Sequence, residues 1–309
     1  MNPAGVTGDR ILFGLCVFAG LLAVAVLCLV VYEVVSGAIP SISRFGVPFL
    51  VHSRWAANFG IFGAAAAIYG TIVSSLMALA IATPLGIAIG LCLSMMAPPP
   101  IRAVVGPLVE MLAAIPSVIV GFWGVVALAP FAAKHLEPFL HDVFGFIPLF
   151  GPPQTTGLSI FSAGLGLTLM VLPIIAALSR DLFLTVPEEL KDGAAALGAT
   201  RWEVIRGVVL PTTASGVAAA TVLGLGRALG EAIAVTQLIG DGTGIHSSLF
   251  LPGTSLASQI ATNYNYSESA LEIPSLFYLA LILLVIGLVT SVLAKTIAGR
   301  FDVQRSLAR

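Results

Sequence analysis

Charge is what this sequence has least of. Only 9% of its 309 residues are Asp, Glu, Lys or Arg, where a soluble domain carries about 25%. A chain so poor in charge has little surface to offer water, and its net charge of −1 gives no basic footprint for nucleic acid. Cysteine is scarce too. Cys16, Cys28 and Cys92 all lie in apolar runs, and an odd count without paired spacing supports neither a disulfide framework nor a zinc site. No Gly-x4-Gly-Lys-Ser/Thr occurs, so the chain carries no phosphate-binding loop for ATP. His-Glu-x-x-His and Gly-x-Ser-x-Gly are also missing, which leaves an intramembrane hydrolase unsupported. Gly224, Gly226 and Gly230 miss the dinucleotide-binding spacing by one residue. The four histidines read as solvated loop residues rather than ligands.

Apolar sequence is plentiful: 58% of residues are hydrophobic and the mean hydropathy is +1.05. About 20 apolar residues cross a bilayer as a helix. Six such runs predict an all-α polytopic membrane protein, with spans near 11–32, 69–93, 104–130, 158–178, 214–239 and 274–298. The first run exceeds the apolar core of about 7–15 residues in a cleaved leader, so it reads as a retained anchor. Residues 33–60 and 131–157 are expected as loops, and Thr83-Pro84 as a kink. Gly86-x-x-x-Gly90 would allow close helix approach. The expected division is 1–60, an N-terminal helix with its first outer loop, and 61–309, the transport domain.

Orientation follows from the cations. Arg10, Arg102, Arg180, Lys191, Arg201, Arg206, Lys295, Arg300, Arg305 and Arg309 fall on one side, against Arg44, Arg54 and Lys134 on the other. That imbalance predicts both termini in the cytoplasm.

Two polar features remain. The longest polar stretch of the interior runs from Arg180 to Leu210, and residues 185–211 read as two short helices. Thr185 with Glu188 and Thr200 with Glu203 have capping-box spacing. Gly198 suits a left-handed stop, and Pro211 is expected to close the second helix. A rigid helical knob of this kind fits a groove on another protein. In the fifth span, Arg227 and Glu231 stand four apart on one helical face. Each costs roughly 2.5–3.5 kcal/mol at the centre of a membrane helix. Arg227 reads as an anion contact with Glu231 as its resting partner. A permanent brace, Arg227 to Glu231 or to Glu110 of the third span, is the alternative; Glu110 is expected along the pathway, as a partner of Arg227 or of a residue on a second permease. Gly224, Gly226 and Gly230 would let neighbouring helices close around the pair.

Asp192-Gly193-Ala194-x3-Gly198-x9-Val208-x-Leu210-Pro211 resembles the EAA loop of ABC-importer permeases, with Asp for Glu, Gly for Ala and Val for Ile. Within that family, the run 224–236 around Arg-Ala-Leu-Gly-Glu is similar to phosphate permeases. Leu112-Ala113-Ala114-Ile115-Pro116-Ser117 and Leu251-Pro252-Gly253-Thr254-Ser255 are closer to one of the two phosphate permease subunits than to the other. The resemblance implies a type I importer fold in a bacterial inner membrane and alternating access without a reaction of its own. It implies a second permease, two cytoplasmic ATPase subunits that bind ATP and Mg, and an external phosphate-binding protein. It assigns Asp192, Gly193, Ala194, Gly198, Val208, Leu210 and Pro211 to ATPase coupling. Sulfate or molybdate permeases share part of the pattern, and a self-sufficient transporter or channel is the rival of a different class.

Overall fold

In hydrocarbon no water satisfies a free N–H or C=O, so the apolar runs of this chain can cross only as helices. The computed structural model describes residues 3–266 and 269–300. The tail positions Arg305 and Arg309 and the side chain of Arg300, counted above for orientation, lie outside the described residues. In chain order the helices are α1 (Pro3–Phe45), α2 (Ala65–Met96), α3 (Pro99–Ala113), α4 (Ser117–Phe144) and α5 (Ile160–Leu184). They continue with α6 (Glu188–Ala196), α7 (Arg201–Gly230), α8 (Ile233–Leu238), α9 (Leu256–Asn263) and α10 (Glu272–Arg300). No strand forms among the described residues. Six helices, α1, α2, α4, α5, α7 and α10, are long and apolar enough to cross a membrane.

The centre is α5. Its most apolar window is 72% buried, against 28% or less in the other five, because α2, α3, α7 and α8 all pack on it. Leu167, Val171 and Ile175 of α5 meet Ala78 and Ala82 of α2, Ala129 and Ala132 of α4, and Ala228 of α7. Small residues facing branched ones bring these backbones close, the usual basis of helix association where lipid is as apolar as the partner. The Gly86-x-x-x-Gly90 pair lies on this contact. A β-carbon on Gly86 would stand 2.8 Å from Ile175 Cγ2, and one on Gly90 3.0 Å from the Arg180 nitrogen.

Several boundaries differ from the sequence reading. Residues 33–45 are helical rather than loop, because the second half of α1 packs along α10. Gly37 receives the Phe277 ring, and the Ser41 and Ser275 hydroxyls meet at 3.1 Å in a buried pair. The third span is shifted to 117–144 from the expected 104–130. Pro116 takes an extended conformation and separates α3 from α4, as its restriction on Ile115 favours. The helix then runs on through residues 131–144, half of the expected loop, and carries Lys134, His135 and Glu137 with it. Glu137 is fully buried, and its Oε2 accepts the Gln154 N–H at 2.9 Å, anchoring the following loop.

Proline explains the shift. Pro130, Pro138 and Pro211 each sit at the start of a helical segment directly after a π-helical turn, Gly124–Leu128, Ala132–Leu136 and Ile205–Val209. A wide turn displaces the hydrogen-bond ladder just where the proline has no N–H to give. The helix therefore passes through. Pro211 does not close the second short helix, and α7 is continuous from Arg201 to Gly230.

Replacing Gly86 by Leu should drive a side chain into Ile175 and part α2 from α5, at a cost of about 1–3 kcal/mol or more. Thermal melting of the purified complex in detergent should show a clear drop, and an unchanged midpoint would contradict this packing.

Candidate functional site

The apolar run 214–239 is not one helix. It stops at Gly230, Glu231 is extended (φ −74°, ψ 115°), and α8 begins at Ile233. Arg227 therefore lies in the last turn of α7, where the unpaired carbonyls of a helix end favour a cation. Arg227 and Glu231 line a cavity of about 760 Å³ with Gly226, Gly230, Ser291 and Lys295. The Arg227 side chain is 39% exposed and that of Glu231 10%, and Nη2 stands 4.0 Å from Oε2. That separation is an ion pair without a hydrogen bond, and no other described side chain pairs with Arg227. The guanidinium keeps its fork of donors for something else.

The three glycines divide. Gly224 touches α5, where a β-carbon would stand 2.7 Å from Val171 Cγ1, whereas Gly226 and Gly230 face open space on the cavity wall. Lys295 and Ser291 were missed as site residues. Lys295 had been counted only as an end-of-helix cation, since nothing in the sequence places the last turns of α10 against α7.

Glu110 is elsewhere. It lies on α3, outside the six spans, and Arg180 Nη2 approaches its Oε1 at 2.8 Å while holding Asp181 Oδ1 at the same distance. The pairing of Glu110 with Arg227 is thereby corrected, and the break at Pro116 separates α3 from the third span.

The 185–211 segment forms the knob. Its first capping box is not made, because Pro187 occupies the cap position and the Thr185 hydroxyl donates to Leu182 O at the end of α5. The second box is complete: Thr200 N–H donates to Glu203 Oε2 at 2.7 Å, and Glu203 N–H to Thr200 Oγ1 at 3.4 Å. Between them Gly198 has φ +91°. Its N–H donates to Ala195 O at 2.9 Å and that of Ala199 to Ala194 O at 3.1 Å, a Schellman stop. Asp192 and Gly193 are exposed, whereas Ala194, Val208 and Leu210 pack against Phe183, Val186 and Val209. Leu197, 91% exposed, and Trp202 stand at the outside of the knob. Both were passed over in sequence, although each is a large apolar side chain in a polar segment.

Residues 82–303 match the family described as "Binding-protein-dependent transport system inner membrane component". The chain belongs to this family. The permease is 41% identical over 290 residues to the phosphate transport system permease protein PstC of Pasteurella multocida, covering 92% of this chain and 90% of the relative. It is 40% identical over 289 residues to PstC of Mesorhizobium japonicum, covering 92% and 88%. Among solved structures it is similar to a bacterial alginate ABC transporter crystallised with its alginate pentasaccharide-bound periplasmic protein (TM-score 0.61, 18% identity, covering 93% of this chain and 94% of that one). The MetNI methionine ABC transporter gives a TM-score of 0.51 at 19% identity, covering 75% and 91%. At such identity these structures share the fold. The permease is thus a multi-pass inner-membrane transport subunit rather than an enzyme, in a family that works with an ATPase and a substrate-binding protein.

The glycines give a sign test. Gly224→Ala should destabilise the permease by about 1–3 kcal/mol through the clash with Val171, whereas Gly226→Ala should be neutral or stabilising by up to about 1 kcal/mol from helix propensity. Melting curves of the two variants in the same detergent should shift in opposite directions or at least differ clearly.

Proposed function

We propose that this permease moves inorganic phosphate inward by alternating access, with Arg227 as the anion contact. The single observation that carries the reading is the Arg227 guanidinium, open to the cavity, with Glu231 at 4.0 Å and no hydrogen bond to satisfy it. A planar fork of this kind donates two parallel bonds to phosphate oxygens. Glu231 keeps the positive charge compensated when the site is empty, yet leaves those donors free. The names of the relatives at about 40% identity point to the same anion and away from sulfate or molybdate. A channel or self-sufficient carrier would have no use for the capped knob.

In this reading both termini are cytoplasmic, and residues 1–60 form an accessory helix and outer loop beside the transport domain 61–309. The chain pairs with a PstA-like second permease, two PstB-like ATPase subunits and a PstS-like binding protein, periplasmic or lipid-anchored. ATP and Mg bind to the ATPase subunits, and this chain needs no cofactor. The knob enters a groove on one ATPase. Asp192 and Gly193 are on its exposed side, Leu197 and Trp202 supply apolar anchors, and Gly198 holds the turn. Val208, Leu210 and Pro211 join it to α7.

Arg227→Gln should lower phosphate uptake by the reconstituted complex about a hundredfold, the loss of charge-assisted bonds worth roughly 2.7 kcal/mol. Arg227→Lys should retain part of it. Full uptake by the Gln variant at normal expression would end the pathway reading. Gly198→Ala forces a β-carbon into a left-handed backbone at about 1–2 kcal/mol. Combined with Asp192→Ala it should reduce co-purification of the ATPase while the permease still inserts. Stoichiometric co-purification with undiminished transport would remove the docking claim.

A further inference from the structure

The cavity that holds Arg227 has a second polar end. Along α7 its wall runs from Ala219 to Gly230, about 17 Å at 1.5 Å per residue. Ala219, Val222 and Leu223 are apolar, and Arg227 with Glu231 closes the end remote from the knob. On α10 the lining residues are Ser291 and Lys295, one helical turn apart on one face. Consecutive spans run in opposite directions, so Lys295, near the end of α10, lies toward the side from which α7 rises. It is about 35 Å along its helix from Glu272, at the edge of a hydrocarbon core about 30 Å thick.

A lysine at that depth ordinarily extends its ammonium to the interface. Lys295 differs from that ordinary case in lining the cavity that contains Arg227, beside a hydroxyl that can donate to the same anion. No ion pair or hydrogen bond engages its ammonium among the described residues. Among the described residues Glu110 pairs with Arg180 and Glu231 with Arg227, and neither pairs with Lys295.

We propose that Ser291 and Lys295 form a second anion station, at the release end of the pathway. The station takes an oxyanion from Arg227 across the apolar middle of the cavity and holds it through a single ammonium and a hydroxyl. The two stations differ in strength by chemistry. A guanidinium fork binds a tetrahedral oxyanion through two fixed bonds, whereas an ammonium is a strongly hydrated point charge with rotatable donors. The first selects and the second releases. Passage requires sites that attract enough to admit the anion and hold it weakly enough to let it leave.

The inference rests on the proposed transport function, and its test separates the two. The complete importer is reconstituted with Cys16, Cys28 and Cys92 replaced by Ala and with Ser291→Cys as a reporter. Labelling of position 291 by a sulfonate thiol reagent is compared with labelling by a trimethylammonium one. The anionic reagent should react about tenfold faster, the scale of local charge steering in a lined cleft. Lys295→Gln should abolish that preference, Lys295→Arg should keep it, and millimolar phosphate should slow the anionic reagent. In the background with Ser291 intact, Lys295→Gln should lower phosphate uptake about tenfold, with ATPase co-purification unchanged and Lys295→Arg restoring uptake. Equal labelling rates irrespective of residue 295, or full phosphate uptake by Lys295→Gln, would overturn the station. A charge preference at position 291 in an importer that takes up another oxyanion but no phosphate would sustain the station and overturn the phosphate reading.

Discussion

Everything in this molecule depends on the pairing of backbone groups in a medium that offers none. A helix that crosses hydrocarbon has to keep its ladder intact or hand the freed groups to a neighbour, yet this chain has 19 prolines. Three of them, Pro130, Pro138 and Pro211, follow π-helical turns and show one solution. The ladder is widened over one turn, the proline falls where a bond has already been displaced, and the rod continues.

The same constraint makes the break after Gly230 informative. Nothing in the apolar run 231–239 demands that the helix stop, and no proline is present. The stop exposes the last carbonyls of α7 beside Arg227 and turns Glu231 into an extended link, so it reaches the guanidinium without clasping it. Non-helical backbone at membrane depth is tolerated where it borders a cavity, and here it does. The arrangement resolves a conflict between holding a cation in an apolar bundle and leaving it able to bind.

The number of spans, the knob and the nearness of Arg227 to Glu231 were all legible in sequence, each for a local reason. Apolar length fixes a span, Thr200 with Glu203 writes its own cap, and a charge in an apolar run announces its cost. What sequence concealed was non-local. Prolines were read as ends because the compensating π turns leave no pattern. Residues 33–45 looked like loop because their partner, α10, lies more than 200 positions away. Glu110 was assigned to the third span because residues 104–130 read as one apolar run, which Pro116 divides. Lys295 joined the cavity only once α7 and α10 were placed side by side. Thr185 had the spacing of a cap and served the preceding helix instead, since spacing does not say which of two adjacent helix ends a hydroxyl will satisfy.

The unbroken course of α7 has a mechanical meaning. Thirty residues make a rod about 45 Å long, with the knob at one end and the arginine near the other. Pivoted at its middle, such a rod is a lever with nearly equal arms, and a tilt of about 5° swings each end by about 2 Å. An ion pair resting at 4.0 Å is about 1 Å from hydrogen-bonding distance. A small rocking of the knob would shift the Arg227 end of this rod by a distance comparable to that gap.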